Sequence, residues 1–181
     1  MNSYSWIQQK LHYLALSSQL MRETAYDIES SIISHHENLS ENVFISGLAR
    51  SGTTILLNAI YKSNEFGSLS YADMPFILAP NIWSKINLNH QTELSERAHG
   101  DGILVNSESP EAFEEVFWKT FSDSDLKTKT KFKKYVSLIK FKNKKNRYLS
   151  KNNQNLKRLN LISNIFPESI ILVPFRDPLQ H

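Results

Sequence analysis

The run Gly47-Leu48-Ala49-Arg50-Ser51-Gly52-Thr53-Thr54 gathers the residue types that grip phosphate groups. Its frame is G-x-x-x-x-G-x-T, the spacing of a phosphate-cradling loop placed after a strand. Glycines let the backbone curl until successive N–H groups point inward, and a helix opening near Thr53 adds its positive dipole end. The hydroxyls of Ser51, Thr53 and Thr54 supply further donors. An ATP or GTP loop carries Lys directly after the second glycine, where it reaches the β- and γ-phosphates. Here that place is Thr53, and the cation stands inside the loop as Arg50. A cation in that position suits the 5′ end of a shorter phosphate chain, so nucleoside triphosphate hydrolysis is disfavoured.

Such a loop works only if a strand delivers it and a helix leaves it. Asn42 is followed by Val43-Phe44-Ile45, a continuous apolar run suited to a buried parallel strand. Beyond the turn, Thr54-Ile55-Leu56-Leu57-Asn58-Ala59-Ile60-Tyr61 reads as a helix, which completes the first half of a βαβ unit. Ser68-Leu69-Ser70-Tyr71 suggests a second short strand. Ser109-Pro110-Glu111 has the form of a helix start: Ser as N-cap, Pro at the first helical position, acids in the first turn. Phe113, Val116, Phe117 and Phe121 continue it. Tyr148-Leu149 ends a further strand. Leu156, Leu159, Ile162, Ile165 and Phe166 mark a helix stopped by Pro167, and Ile170-Ile171-Leu172-Val173 reads as a second buried strand. Upstream, Trp6, Leu11, Leu14, Ala15, Ala25, Ile28 and Ile32 place one or two amphipathic helices within residues 4–33. His35 and His36 suit a helix C-terminus better than a metal site. The expected fold is α/β: three layers, with a central parallel sheet flanked by helices. Residues 1–41 form an N-terminal helical segment and residues 42–181 the nucleotide-binding core.

Composition narrows the class. With 181 residues and 20.9 kDa the chain suits one ordinary domain. Its 40% hydrophobic and 22% charged residues exclude wholesale disorder and fibrous architectures. No apolar run reaches the roughly 18 residues that span a bilayer, and the N-terminus lacks the basic and apolar regions of a secretory signal. The absence of cysteine excludes a disulfide framework, a thiolate metal site and a cysteine nucleophile. A soluble, cytoplasmic protein is expected. Charge is unevenly spread: residues 1–125 hold 7 Lys/Arg and 16 Asp/Glu, whereas residues 126–181 hold 14 and 2. That imbalance suggests an anionic partner for the C-terminal third, or else residues 127–147 are a solvated, lysine-rich surface segment. Phe132, Tyr135 and Phe141 interleave with the lysines, which leaves open a non-catalytic module binding nucleic acid or another polyanion, although no RNA-binding motif is visible. A P-loop kinase or NTPase is the other alternative, opposed by Thr53.

The run Val43-Phe44-Ile45-Ser46-Gly47-Leu48-Ala49-Arg50-Ser51-Gly52-Thr53-Thr54 resembles the 5′-phosphosulfate-binding loop of the P-loop sulfotransferase superfamily, bacterial type. Those enzymes use 3′-phosphoadenosine 5′-phosphosulfate (PAPS), and their hallmark is a basic residue followed by Ser-Gly-Thr-Thr. A second element, Phe166-Pro167-Glu168-Ser169-Ile170-Ile171-Leu172-Val173-Pro174-Phe175-Arg176-Asp177-Pro178, is similar to the strand whose terminal Arg binds the 3′-phosphate. Lys151-Asn152-Asn153 is similar to the Lys-containing turn that precedes it. The resemblance implies that residues 47–54 and Arg176 bind PAPS, that Arg50 and Lys151 assist transfer, and that the product is adenosine 3′,5′-bisphosphate. It implies no metal. Family members carry a Ser several residues after the Arg and then more helices, so the 181-residue chain is expected to be incomplete at its C-terminus and weak or inactive alone.

A hydroxyl acceptor needs a general base, and the resemblance implies a His or a carboxylate. Asp73, in Tyr71-Ala72-Asp73-Met74-Pro75, lies near the Glu of the similar tyrosylprotein sulfotransferases; its ordinary alternative is a turn cap. His99, in His99-Gly100-Asp101-Gly102, is the other candidate, with Asp101 as its orienting carboxylate. Glu108, Glu114 and Glu115 read as helix-start and solvent-face acids. Asn153 falls near the catalytic His of the cytosolic small-molecule branch and cannot act as a base. A carbohydrate or glycan acceptor is expected by analogy with similar bacterial members, with no nucleic acid partner.

Overall fold

A computed structural model describes residues 15–33, 41–87, 95–96, 104–121 and 126–177 of the chain. Its centre is β1 (Val43–Ile45), three apolar residues that are all buried. On one side of it lies β5 (Arg147–Lys151) and on the other β6 (Ile170–Leu172), with β2 (Phe66–Gly67) beyond β5. The order is β2-β5-β1-β6 and every pairing is parallel. Ile45 stands opposite both Lys151 and Leu172, so three strands finish together at one edge. A separate antiparallel pair joins β3 (Ser95–Glu96) to β4 (Leu104–Val105).

Alternation along the strands divides the core in two. Val43, Ile45 and Leu149 pack on one face with Leu57 of α2 (Thr53–Tyr61). Phe44 and Tyr148 point to the other face, where they meet Phe117 and Trp118 of α4 (Glu115–Thr120), Phe132 and Tyr135 of α5 (Leu126–Asn143), and Ile162 of α6 (Leu159–Ile165). The sheet therefore has helices on both sides, the expected three layers. Tyr26 of α1 (Gln19–Ile32) joins the larger cluster. Glu29 on the same helix is fully buried and caps α3 (Pro80–Ile86), accepting from Asn81 N at 2.8 Å and Ile82 N at 2.9 Å.

Several elements depart from expectation. Leu20, Met21, Ile28 and Ile32 of α1 are exposed, because Tyr26 and Glu29 supply the buried face instead. The second strand falls at Phe66–Gly67 rather than at residues 68–71; Ser70 makes an isolated bridge to Pro110. That bridge, with Glu111 N donating to Leu69 O at 3.1 Å, holds residues 109–111 extended and delays the helix to Glu115. β6 is partly exposed, with Ile170 at 42%, since no described strand lies beyond it. The lysine-rich stretch is mostly one helix, α5, whose Phe132, Tyr135, Val136 and Ile139 recur at helical spacing and are fully buried. Each such burial contributes about 1.5–3 kcal/mol. Phe132 and Tyr135 therefore offer no face on which bases could stack, and only Phe141 of the three aromatics is exposed. The positions of Trp6, Leu11, Leu14, His35, His36 and His99 lie outside the described residues.

The core makes stability sensitive to alkali. Burial pushes the Tyr26 phenol up to about 12, and pushes Tyr135 and Tyr148 well above the ordinary range. An unfolded chain loses these protons near pH 10, while the folded chain keeps them. The unfolded state then binds fewer protons, so stability present below pH 10 is lost as pH rises from 10 through 12. Urea midpoints measured between pH 9 and 12 should fall steadily. Tyr26→Phe, which removes one of these phenols, should flatten the decline, and an unchanged slope would contradict the assignment.

Candidate functional site

Ser46 continues β1 by donating its N–H to Leu172 O at 2.9 Å, and the chain then turns away from the sheet edge. Gly47 is required there by a close approach: a Cβ at that position would lie 2.9 Å from Pro174 O, 3.0 Å from Ser51 Oγ and 3.1 Å from Thr53 Cγ2. Ser51 closes the turn, its N–H and hydroxyl both donating to Leu48 O, at 3.3 and 2.7 Å. Arg50 (φ 61°) and Gly52 (φ 90°) take the left-handed conformation that reverses the chain. α2 then begins at Thr53, with Gly52 as its N-cap and no side chain capping it, so its first amides are directed back toward the loop.

The loop is open outward and anchored inward. Leu48, Ala49 and Arg50 are exposed, Ser51 and Thr53 buried, and Thr54 half-buried. Among the described residues Arg50 has no hydrogen-bond or ion-pair partner, and neither has Arg176. Arg176 follows β6 by four residues and is exposed. Pro174 O packs against Gly47, and two further residues of extended chain reach about 7 Å. The two uncommitted guanidinium groups thus belong to segments that leave adjacent strands at the same edge. Crevices at the carboxyl ends of strands are where open α/β sheets bind ligands.

β5 delivers the third cation to that edge. Lys151 is its last residue, buried and level with Ile45, and Asn152 N donates to Ile45 O at 2.9 Å. Ser46 Oγ and Asn153 Oδ1 are buried here without a hydrogen-bond partner among the described residues. Buried polar atoms are rarely left unpaired, so these two atoms, beside a glycine cradle and two arginines that have no partner among the described residues, fit an edge able to receive a polar, anionic molecule.

Behind Lys151 lies a carboxylate pair that sequence reasoning placed at the surface. Glu114 is 1% exposed and accepts from Trp118 Nε1, Asn155 Nδ2 and Tyr148 Oη at 3.0, 2.7 and 3.0 Å. Glu115 forms a bidentate pair with Arg158, at 2.9 and 3.1 Å, and accepts from Asn152 Nδ2 at 2.8 Å. The solvent-face reading of Glu114 is corrected: besides Trp118 on its own helix, its partners lie on β5 and in the turn after it, so it braces that turn from inside the core. The i, i+4 spacing of Glu114 and Trp118, with Asn152, Asn155 and Arg158 three residues apart, is the signal that could have revealed the network.

Of the two candidate bases, Asp73 stands apart from this cluster. Asp73 is 1% exposed in the 3-10 turn Tyr71–Asp73, beyond β2 and two strand positions from β1. Its Oδ2 accepts from Ser70 N at 2.8 Å, and its Oδ1 pairs with Lys142 Nζ at 2.6 Å. The turn-cap role is thus realised. His99 lies outside the described residues.

Comparison with known proteins follows the same lines. A sulfotransferase family model matches residues 42–181. Among solved structures the fold is similar to that of sulfotransferase STF1 from Mycobacterium tuberculosis H37Rv, with TM-score 0.57 and 13% identity over 95% of this chain and 56% of that one. It is also similar to STF9 from Mycobacterium avium, with TM-score 0.55 and 12% identity over 98% of this chain and 54% of that one. The chain spans little more than half the length of either. No curated protein matches it significantly.

Proposed function

The chain belongs to the sulfotransferase family, and from that premise we propose that its strand-end edge binds PAPS and serves transfer of the sulfuryl group to a hydroxyl, on a carbohydrate or glycan acceptor. The observation that carries this reading is a pair of arginines with no partner among the described residues, Arg50 and Arg176, on segments that leave adjacent strands where Gly47 closely approaches Pro174. PAPS carries phosphate at both its 3′ and 5′ positions, and a cation from each of two neighbouring strands matches that charge pattern.

In this proposal Arg50, the amides of residues 47–54 and the hydroxyls of Ser51, Thr53 and Thr54 hold the 5′-phosphosulfate. Arg176 holds the 3′-phosphate. Lys151, at the end of β5, faces the group being transferred. As the acceptor oxygen bonds to sulfur, the bond from sulfur to the 5′-phosphate oxygen breaks, and charge grows on the departing phosphate. Donors already aimed at that oxygen stabilise it without reorganising. The acceptor proton goes to Asp73 or His99. Asp73 would have to part from Lys142 to take it. The chemistry calls for no metal, and Thr53 in place of the NTPase lysine sets the site apart from ATP turnover. No described helix is long and apolar enough to cross a membrane, and a cytoplasmic setting belongs to the proposal.

The test is calorimetric titration of the chain with adenosine 3′,5′-bisphosphate and with AMP. Arg176→Ala should weaken the bisphosphate about 10- to 30-fold, the loss of one partly exposed charge-assisted contact, and leave AMP unchanged. Equal affinities for the two nucleotides in the unaltered chain would refute the site.

A further inference from the structure

At the opposite end of β5 lies a cavity of about 430 Å³, which meets the residues of the sulfotransferase reading only through Lys142, the partner of Asp73. Lys85 of α3, Lys140 and Lys142 of α5, and Lys144 and Lys145 from the turn before β5 line it, with the ring of Phe141 on one wall. None of its lining residues is acidic. The five residues of β5, about 16 Å at strand rise, separate this turn from Lys151. The volume falls in the range of small-molecule sites.

The lysines are arranged in two tiers. Lys142 is held by Asp73 at 2.6 Å, and Lys145 Nζ by Asn64 O and Oδ1 at 2.5 and 2.8 Å, so both ammonium groups are fixed in place. Lys140 is 5% exposed, and burial lowers its pKa, a desolvation that a bound anion would offset. Lys85 and Lys144 are exposed at the rim. α5 ends in a Schellman motif, Lys145 N donating to Lys140 O and Lys144 N to Phe141 O. Its left-handed C′ position, where glycine is the usual occupant, holds Lys144 at φ 53°. Lys144 occupies a position where glycine would carry less strain, and it adds one more cation at the rim.

We propose that this cavity binds a compact polyanion bearing clustered phosphate or sulfate groups. Lysines are rotatable point charges, suited to several tetrahedral oxyanions at once rather than to one planar carboxylate. The site is independent of the nucleotide edge, and its test is made so that each can fail alone.

Inorganic tripolyphosphate and a trisulfated heparin disaccharide are titrated into the Arg50→Ala chain, in which the loop's own anion affinity is weakened. One of them should bind at one site per chain, and the tighter of the two identifies phosphate or sulfate as the source. Adding Lys85→Gln and Lys144→Gly should weaken that binding at least tenfold. Lys144→Gly suits the C′ conformation, so thermal stability should be kept. The same pair of changes in the otherwise unaltered chain should leave adenosine 3′,5′-bisphosphate affinity within twofold. Failure of both probes to bind, or unchanged affinity after the two substitutions, overturns the proposal. Loss of adenosine 3′,5′-bisphosphate binding alone counts against the nucleotide edge and not against the cavity.

Discussion

Arg50→Ala is expected to weaken adenosine 3′,5′-bisphosphate by about 30- to 150-fold, corresponding to roughly 2–3 kcal/mol for a charged hydrogen-bonding group facing phosphate. The effect should exceed that of Arg176→Ala because of where the two cations stand. Arg50 sits inside a turn whose amides and following helix already favour negative charge, so its loss breaks a cooperative cradle. Arg176 is reached by an exposed segment and contributes a more solvated contact. Folding should be unaffected, because Arg50 has no partner among the described residues to lose. Its φ of 61° suits alanine no better and no worse. Arg50→Gly relieves that strain, so it should lose the same affinity at equal or greater stability. Calorimetry and thermal melting on the two variants separate charge from backbone. Unchanged affinity in both would remove Arg50 from the site.

What could be read from the sequence was local and strongly patterned. Val43-Phe44-Ile45, the glycine frame and the strand ending in Leu172 were legible because each signal lies within a few residues: a buried apolar run, a turn that only glycine permits, a proline stop. The parallel sheet and the three layers followed from their alternation, though not the order of the strands. Signals that depend on partners far along the chain were not legible. Ser109-Pro110-Glu111 has the local form of a helix start, yet Leu69 and Ser70 recruit it as extended chain. Glu114 looks like any helix acid until Tyr148 and Asn155 close over it from more than thirty residues away. The lysines of α5 masked a core helix, because charge dominates composition while burial follows the spacing of Phe132, Tyr135 and Ile139. Of the proposed site, the loop and Arg176 can be named from the sequence, but the close approach of Gly47 to Pro174 cannot.

That contact underlies the other large prediction. Gly47→Ala places a methyl group 2.9 Å from the carbonyl oxygen of Pro174, closer than such atoms approach, and the obstacle is backbone rather than a side chain that could swing away. Either the loop retreats from the edge or residues 173–177 are pushed aside. Both responses separate Arg50 from Arg176, so binding of adenosine 3′,5′-bisphosphate should fall further than in either arginine variant, beyond about 150-fold if the two contacts act together. Overpacking of this kind also costs about 1–3 kcal/mol of stability. Gly52→Ala supplies the contrast. Nothing lies within 4 Å of a Cβ there, and the penalty comes only from φ at +90°, about 1–2 kcal/mol of backbone strain. If the edge is one site spanned by two strands, Gly47→Ala should abolish recognition of the 3′-phosphate as well as the 5′ end, while Gly52→Ala retains the preference for the bisphosphate over AMP. A Gly47→Ala chain that still distinguishes the two nucleotides would mean that the loop and Arg176 act separately.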